Sequence, residues 1–411
     1  MPLRYRRYMV VHGVEEVEPL GLSFVDFVNP ACSPSTRCCS EQLAFCQACL
    51  VCESIEDYCN NNVLAADWEA MGCNKPSTPS CPCVGFTPFN RHEGAVRSVA
   101  YQTDETRAFT GGEDGAAFSW NIENGVLRMP FKKDTRRRRR RVTAVAVSFD
   151  AAFAYVGSDD QSVLVWNLNS AVRCTKGDLT CGVKPTATFS PDTGGGEITA
   201  IAEVPIWNTL LMGMKDNTST LWYFGSGKRF RAGDQIDSDG RTPSDRGDVL
   251  SVTNVPIKMR YATGHEDGTI MYWDLRSGHF LYSMRKTDSA VLALVALPAA
   301  EQVISGHADG TVRFFQLDTR SQLWVRSQAW GGPVRSIAMV PGGTRIFTAS
   351  EDGRVRHWII SPAVGKLTCE LNTGGGIVYS VAASPGKVGQ FLVGMENGIA
   401  RGFRPVGTPK W

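Results

Sequence analysis

The feature that most constrains this chain is a short pattern that keeps returning. The stretch GHEDGTIMYWD, residues 264–274, sets the pair Asp267-Gly268 directly ahead of β-branched and aromatic residues that end in Trp273-Asp274. Related stretches stand at 110–120 (TGGEDGAAFSW), 156–166 (VGSDDQSVLVW), 212–222 (MGMKDNTSTLW), 306–316 (GHADGTVRFFQ), 349–359 (ASEDGRVRHWI) and 393–403 (VGMENGIARGF). Their closing aromatics, Trp120, Trp166, Trp222, Trp273, Phe315, Trp358 and Phe403, are separated by 46, 56, 51, 42, 43 and 45 residues. Such a period is one four-stranded unit per repeat. It overrides the two or three domains that length alone implies.

Each copy reads as one small sheet. An alternating apolar stretch, such as AVRSVAY (95–101) or PVRSIAMV (333–340), precedes each turn and fits a partly buried inner strand. A second strand leads into the turn, which is Asp-Gly in four copies and Asn-Gly in one. That pair reads as a two-residue hairpin, which needs positive φ at little cost. Asp114, Asp267, Asp309 and Asp352 are read as turn residues bonding their own backbone. The third strand carries the aromatic, Trp120, Trp166, Trp222, Trp273 or Trp358 among them, whose apolar surface packs between neighbouring units.

Over residues 89–411 these seven copies in register resemble the WD40-repeat family, the seven-bladed β-propellers. The resemblance implies an all-β ring whose loops bind other proteins. The chain departs from the family pattern in several places. The Gly-His pair before each first strand is essentially missing, Arg91-His92 being the nearest relic. His265 and His307 stand in the turn region instead, so the family's His–Asp network is not carried over to them. The Trp-Asp pair survives only at Trp273-Asp274. Residues 1–13 are assigned to ring closure, RYRRYMVVH (4–12) being expected to pair with the blade of Phe403.

Residues 14–88 form a separate cysteine-rich, partly helical arm. Ten of the thirteen cysteines lie between Cys32 and Cys83. The middle of the arm, 39–59, has helical spacing, whereas the three prolines in CNKPSTPSCPC (73–83) exclude a helix there. Three readings of the thiols stand open. A structural zinc would use Cys46 and Cys49, or Cys49 and Cys52, as one half-site and Cys81 and Cys83, or Cys73, as the other. Disulfides would use the even count and the x9 spacings at Cys49–Cys59 and Cys73–Cys83. Reduced thiols filling small apolar gaps are the third reading.

Two connections are outsized. KKDTRRRRRRV (132–142) carries Arg136, Arg137, Arg138, Arg139, Arg140 and Arg141, and GSGKRFRAGDQIDSDGRTPSDRGD (225–248) is long and polar. Strand order puts both on the end of the ring that carries the acidic turns. The arginines read as an anion or acidic-partner contact, with phosphate or RNA as candidates, as a solvated loop neutralised by its neighbours, or as a nuclear-import signal.

The net charge of +2 generates no global field toward nucleic acid or membrane. No apolar run approaches the ~18 residues of a membrane span, and no secretory leader is read at the N-terminus. A cytoplasmic location is expected, with mitochondrial or nuclear as the alternatives. Phosphate-cradling glycine loops, paired helical histidines and nucleophile elbows are not found. The expectation is therefore a non-catalytic interaction scaffold docking other proteins in a multi-subunit assembly. The alternative is an RNA-binding or ribonucleoprotein subunit using the arginine loop and a zinc-stabilised arm.

Overall fold

The computed structural model describes residues 80–132, 140–169, 185–189, 196–205, 208–223, 228–232, 247–284, 287–297, 300–327, 331–363 and 365–406. The expected arm helix at 39–59 and the expected closing strand at 4–12 lie outside the described residues. The described residues form seven antiparallel sheets of four strands. In six sheets the strands follow chain order from the innermost outward. Their inner strands are Val96–Tyr101, Val142–Val147, Ile198–Val204, Val249–Val255, Val291–Ala296 and Val334–Met339. The seventh starts at Val378–Ala383, which packs against Val334–Met339 on one side and Val96–Tyr101 on the other. The seven sheets therefore close into a ring, the all-β propeller that the period predicts.

Ring closure is done by a different segment from the one expected. The outer strand of the seventh blade is Cys83–Phe89, paired antiparallel with Ala400–Pro405 from Cys83 opposite Pro405 to Phe89 opposite Ala400. The propeller thus begins near residue 80 instead of 89. The physical reason is economy of connection: the residues directly ahead of the first inner strand already reach the last blade. Gly402 lies beneath the ring of Phe86, where a Cβ would meet Phe86 Cζ at 1.9 Å. Glycine lets that aromatic lie flat over the closing pair.

The core is distributed over seven seams. One apolar cluster joins Phe109, Met129 and Phe131 of blade 1 to Val142, Val156 and Trp166 of blade 2, and each later seam has its counterpart. An outer-strand phenylalanine of one blade repeatedly meets the tryptophan of the next. The ring centroids are 5.2 Å apart for Phe89 and Trp120, 5.0 Å for Phe131 and Trp166, and 5.8 Å for Phe189 and Trp222. The blade aromatics thus pack between units as their size predicts.

Close approach at the seams explains one residue that recurs from blade to blade. The second strand carries glycine at one position in six blades: Gly111, Gly157, Gly213, Gly264, Gly306 and Gly394. A Cβ on Gly111 would lie 2.4 Å from Val142 Cγ1, and one on Gly306 would lie 2.5 Å from Val334 Cγ1. The inner strand of the following blade presses directly on that backbone. Blade 6 has Ala349 at the same position.

Candidate functional site

Every inner strand breaks register at its second residue. The pairing skips from Val96 to Ser98, Val142 to Ala144, Ile198 to Ala200, Val249 to Ser251, Val291 to Ala293, Val334 to Ser336 and Val378 to Ser380. A bulge re-aims the side chain it carries. The seven bulged residues are Arg97, Thr143, Thr199, Leu250, Leu292, Arg335 and Tyr379, one per blade around the central axis. The serine that follows is put to structural use. Ser98 Oγ accepts from the N–H of Val145 at 2.9 Å, Ser336 Oγ from Val381 at 3.2 Å and Ser380 Oγ from Val99 at 3.1 Å.

Three consecutive blades make this ring distinctive. Arg335 of blade 6, Tyr379 of blade 7 and Arg97 of blade 1 occupy equivalent positions, and the Arg97 guanidinium lies 3.9 Å from the centroid of the Tyr379 ring. Each arginine is braced by the acid of its own blade's turn. Arg97 Nε donates to Glu113 Oε1 at 2.8 Å, and Arg335 Nε donates to Glu351 Oε1 at 2.6 Å. Both arginine side chains keep about a third of their surface in solvent, 33% for Arg97 and 38% for Arg335. The arc is therefore held in place and still open to solvent. Sequence reading passed over these residues. The signal was present as the one polar or aromatic residue after the leading valine of an alternating run.

The turns bond their own backbone, and their loop length differs from the two-residue hairpin read from the sequence. The residue after each Asp takes positive φ: Gly115 at 76°, Gly268 at 86°, Gly310 at 79° and Gly353 at 78°, with Gln161 at 69° and Asn217 at 67° in the degraded copies. Gly115 N–H donates to Gly112 O, and strand pairing resumes between Gly111 and Ala117. These are three-residue loops with a single left-handed position, not two-residue hairpins. One such position can be filled by glutamine or asparagine, which is why two copies dispense with glycine. In all seven blades the Asp or Asn Oδ1 accepts the N–H two residues on, at 2.9–3.1 Å.

Below the turns lies a buried polar chain that the sequence shows only in fragments. In blade 1, His92 Nδ1 is 3.0 Å from Asp114 Oδ1, His92 Nε2 is 2.8 Å from Thr110 Oγ1, and Trp120 Nε1 donates to the same Thr110 oxygen at 2.9 Å. Burial works against it, yet the hydrogen bonds from His92, Ala116 and Glu93 hold the Asp114 carboxyl below the usual range. The relic at Arg91-His92 is thus a complete network. Blade 4 rebuilds it from another direction. His265 Nε2 meets Thr263 Oγ1 at 2.8 Å and Trp273 Nε1 donates to Thr263 at 3.0 Å, while His265 Nδ1 approaches the carbonyl of Gly247 at 3.4 Å.

The exchange has a steric basis. The residue aligned with His265 in blade 1 is Gly112, and a Cβ there would fall 2.3 Å from His92 Nδ1. One imidazole fits the space, supplied either by the segment before the inner strand or by the end of the second strand. Blade 5 uses the second route, with His307 Nε2 2.7 Å from Ser305 Oγ and Nδ1 3.1 Å from Ser289 O. Blade 6 fills the region with Arg356, only 2% exposed, whose Nη2 lies 2.5 Å from Asp352 Oδ2.

Of the arginine run, Arg136, Arg137, Arg138 and Arg139 lie outside the described residues. Arg140 Nη1 pairs with Asp160 Oδ2 at 2.8 Å, and Arg141 reaches Asp159 at 3.1 Å and Glu197 at 3.3 Å. These last two arginines are therefore engaged by the acidic turns beside them. Among the candidate zinc ligands, Cys46, Cys49, Cys52 and Cys73 lie outside the described residues. Cys81 is bonded to Cys369, and a disulfide sulfur is not a thiolate donor, which corrects its place in the zinc reading. Cys83 is a free, half-buried thiol. Trp324 is packed at 6% exposure, its Nε1 donating to Ser361 O at 2.9 Å.

The family described as WD domain, G-beta repeat matches residues 82–121, 135–167 and 324–358. The first match starts in the outer strand of the last blade and ends on the third strand of blade 1. The sequence repeat is thus offset by one strand from the blade, which is the offset that joins Phe89 to Trp120. No curated protein matches the chain.

Proposed function

We propose that this chain, a seven-bladed propeller built of WD40 repeats, is a non-catalytic protein-interaction scaffold that receives a partner protein on the bulged inner-strand positions of blades 6, 7 and 1. The observation that carries the reading is the arc of Arg335, Tyr379 and Arg97. Arginine and tyrosine dominate the energetics of protein interfaces when they are preorganised and central. Here the brace from Glu113 and Glu351 lowers the entropy lost on binding. The propeller fold is commonly a protein-interaction scaffold, and the partner is read as another subunit of an assembly.

The RNA reading has less support. Arg140 and Arg141 are already paired with Asp159, Asp160 and Glu197, so phosphate would have to displace three carboxylates.

The test is affinity capture from source cells with quantitative mass spectrometry, comparing the wild-type chain with an Arg97→Ala/Tyr379→Ala double variant. Recovery of at least one protein partner should fall tenfold or more, while the thermal unfolding midpoint changes little because both positions are partly exposed. Unchanged recovery of every partner would remove the arc from consideration. Steeply salt-dependent co-purification of RNA, lost on arginine-to-serine replacement at 136–141, would favour the alternative.

A further inference from the structure

The chain crosses between two blades within two residues at the point where the ring begins. Ser80 makes a parallel bridge to Glu370, and Cys81 N–H donates to Glu370 O at 2.8 Å, so these residues lie along the outer strand of blade 6, Gly365–Asn372. After Pro82 the chain belongs to blade 7 as the closing strand Cys83–Phe89. The crossing is tight: Cys83 N–H donates to Cys81 O, and Val406 N–H donates to Pro82 O, each at 2.7 Å.

A covalent bond sits at this crossing. Cys81 and Cys369 are joined across a sequence separation of 288 residues. Among the described residues it is the one covalent tie between the segment that closes the ring and the body of the ring. Both half-cystines are sealed, at 5% and 4% exposure. A reductant or an external thiol therefore needs a local opening of the structure to reach them.

A third cysteine follows closely in the chain. Cys83 is a free thiol two residues from Cys81. It packs on the blade 6–blade 7 cluster that also takes Leu371, the residue two on from Cys369 along the same strand face. Burial pushes the Cys83 thiol up to about 12, so it is not a nucleophile while the ring is closed. Lifting the strand exposes it to water, and its pKa returns toward the ordinary value of about 8.5.

We propose that the Cys81–Cys369 disulfide is a redox lock on ring closure and that Cys83 is its built-in exchange partner. When the closing strand lifts, the Cys83 thiolate attacks Cys81 Sγ. A Cys81–Cys83 bond forms, the Cys81–Cys369 bond breaks, and Cys369 leaves as a thiolate. Cys83 has given one proton to solvent and Cys369 takes one up, so the number of disulfides is conserved and no outside oxidant or reductant is consumed. The exchange removes the covalent tie between the closing segment and blade 6, so that only non-covalent pairing and packing can bring the strand back. The geometry thus makes opening self-reinforcing, because the same motion that exposes the bond activates the thiol that moves it.

The experiment uses the full chain as wild type, Cys83→Ser and Cys369→Ser. Thermal unfolding is followed with and without a phosphine reductant. Free thiols are trapped with a maleimide across a range of sub-denaturing urea, and the disulfides are mapped by mass spectrometry. The lock predicts that reductant lowers the wild-type midpoint to that of Cys369→Ser, which responds less. It also predicts that, as urea rises, Cys369 becomes labelled in the wild type while Cys81 and Cys83 appear bonded to each other. In Cys83→Ser the Cys81–Cys369 bond should persist over the same range. The proposal is overturned if Cys81 and Cys369 are both labelled in the native chain, if reductant leaves the wild-type midpoint unmoved, or if Cys83 is labelled while Cys81–Cys369 stays intact. A Cys81 bond to any other cysteine overturns the exchange partner as well.

Discussion

Thr110 shows how much rests on a single hydroxyl. It joins His92 Nε2 and Trp120 Nε1 in a water-excluded seam, and its own residue is fully buried. Replacing it with valine keeps the shape and strands two ring nitrogens. Each unsatisfied buried polar group costs about 1–3 kcal/mol, so Thr110→Val should destabilise the protein by about 2 kcal/mol or more on that principle. Urea unfolding would report this directly, and a loss below a few tenths of a kcal/mol would mean that His92 and Trp120 find other partners. The signal for this network was in the sequence as a threonine ten residues ahead of a tryptophan, at 110 and 120, 263 and 273, and 348 and 358. It was not read, because His92, Thr110 and Asp114 come from three separate segments. His265, read from the sequence as part of the turn region, ends the second strand, and its ring fills the space that His92 fills in blade 1. That equivalence is steric and has no counterpart in residue order.

At the scale of the element, the seam between adjacent blades sets the tolerance of each strand. Gly306 is pressed by Val334 of the next inner strand. Gly306→Ala should cost about 1–3 kcal/mol through overpacking, whereas Ala349→Gly in blade 6, where a Cβ is already housed, should cost less than about 1 kcal/mol beyond the usual strand-glycine effect. Paired unfolding curves for the two variants check the contrast. Equal losses would mean that the seam relaxes around a methyl group and that glycine there reflects something else. Strand identity, turn position and third-strand aromatics were legible from periodicity, because each is dictated by a local alternation of apolar and polar residues. The bulge at Arg97, Arg335 and Tyr379 was not, since a register shift is decided by the partner strand.

For the whole molecule, the buried ionisable groups of different blades give opposing pH responses. Burial beside Asp150 raises Glu203 to about 7 from its ordinary 4.5. The folded ring therefore holds more protons than the unfolded chain between those values, and that contribution to stability is present below about 4.5 and lost as pH rises through about 7. His357 runs the other way. Burial, with Arg345 adding to it, depresses it from 6.5 to about 4, and burial likewise holds His307 well below 6.5. The unfolded chain then binds the extra protons, so stability present above 6.5 is lost as pH falls toward about 4. Thermal midpoints measured from pH 4 to 8 should show both limbs. Glu203→Gln should flatten the limb above about 4.5, and His357→Gln should flatten part of the acid limb; unaltered slopes in both variants would refute the assignment.

The sequence by itself determined the number of blades, the strand order within each, the aspartate turns and the aromatics between blades. These follow from the spacing of residues a few positions apart, and spacing is preserved along a chain. Only the tertiary structure decided which segment closes the ring, that Cys81 bonds Cys369 across 288 residues, and that Arg335, Tyr379 and Arg97 fall side by side. Each of these depends on bringing the two ends of the propeller together. The proximity so created is set by closure of the ring, and local pattern contains no term for it.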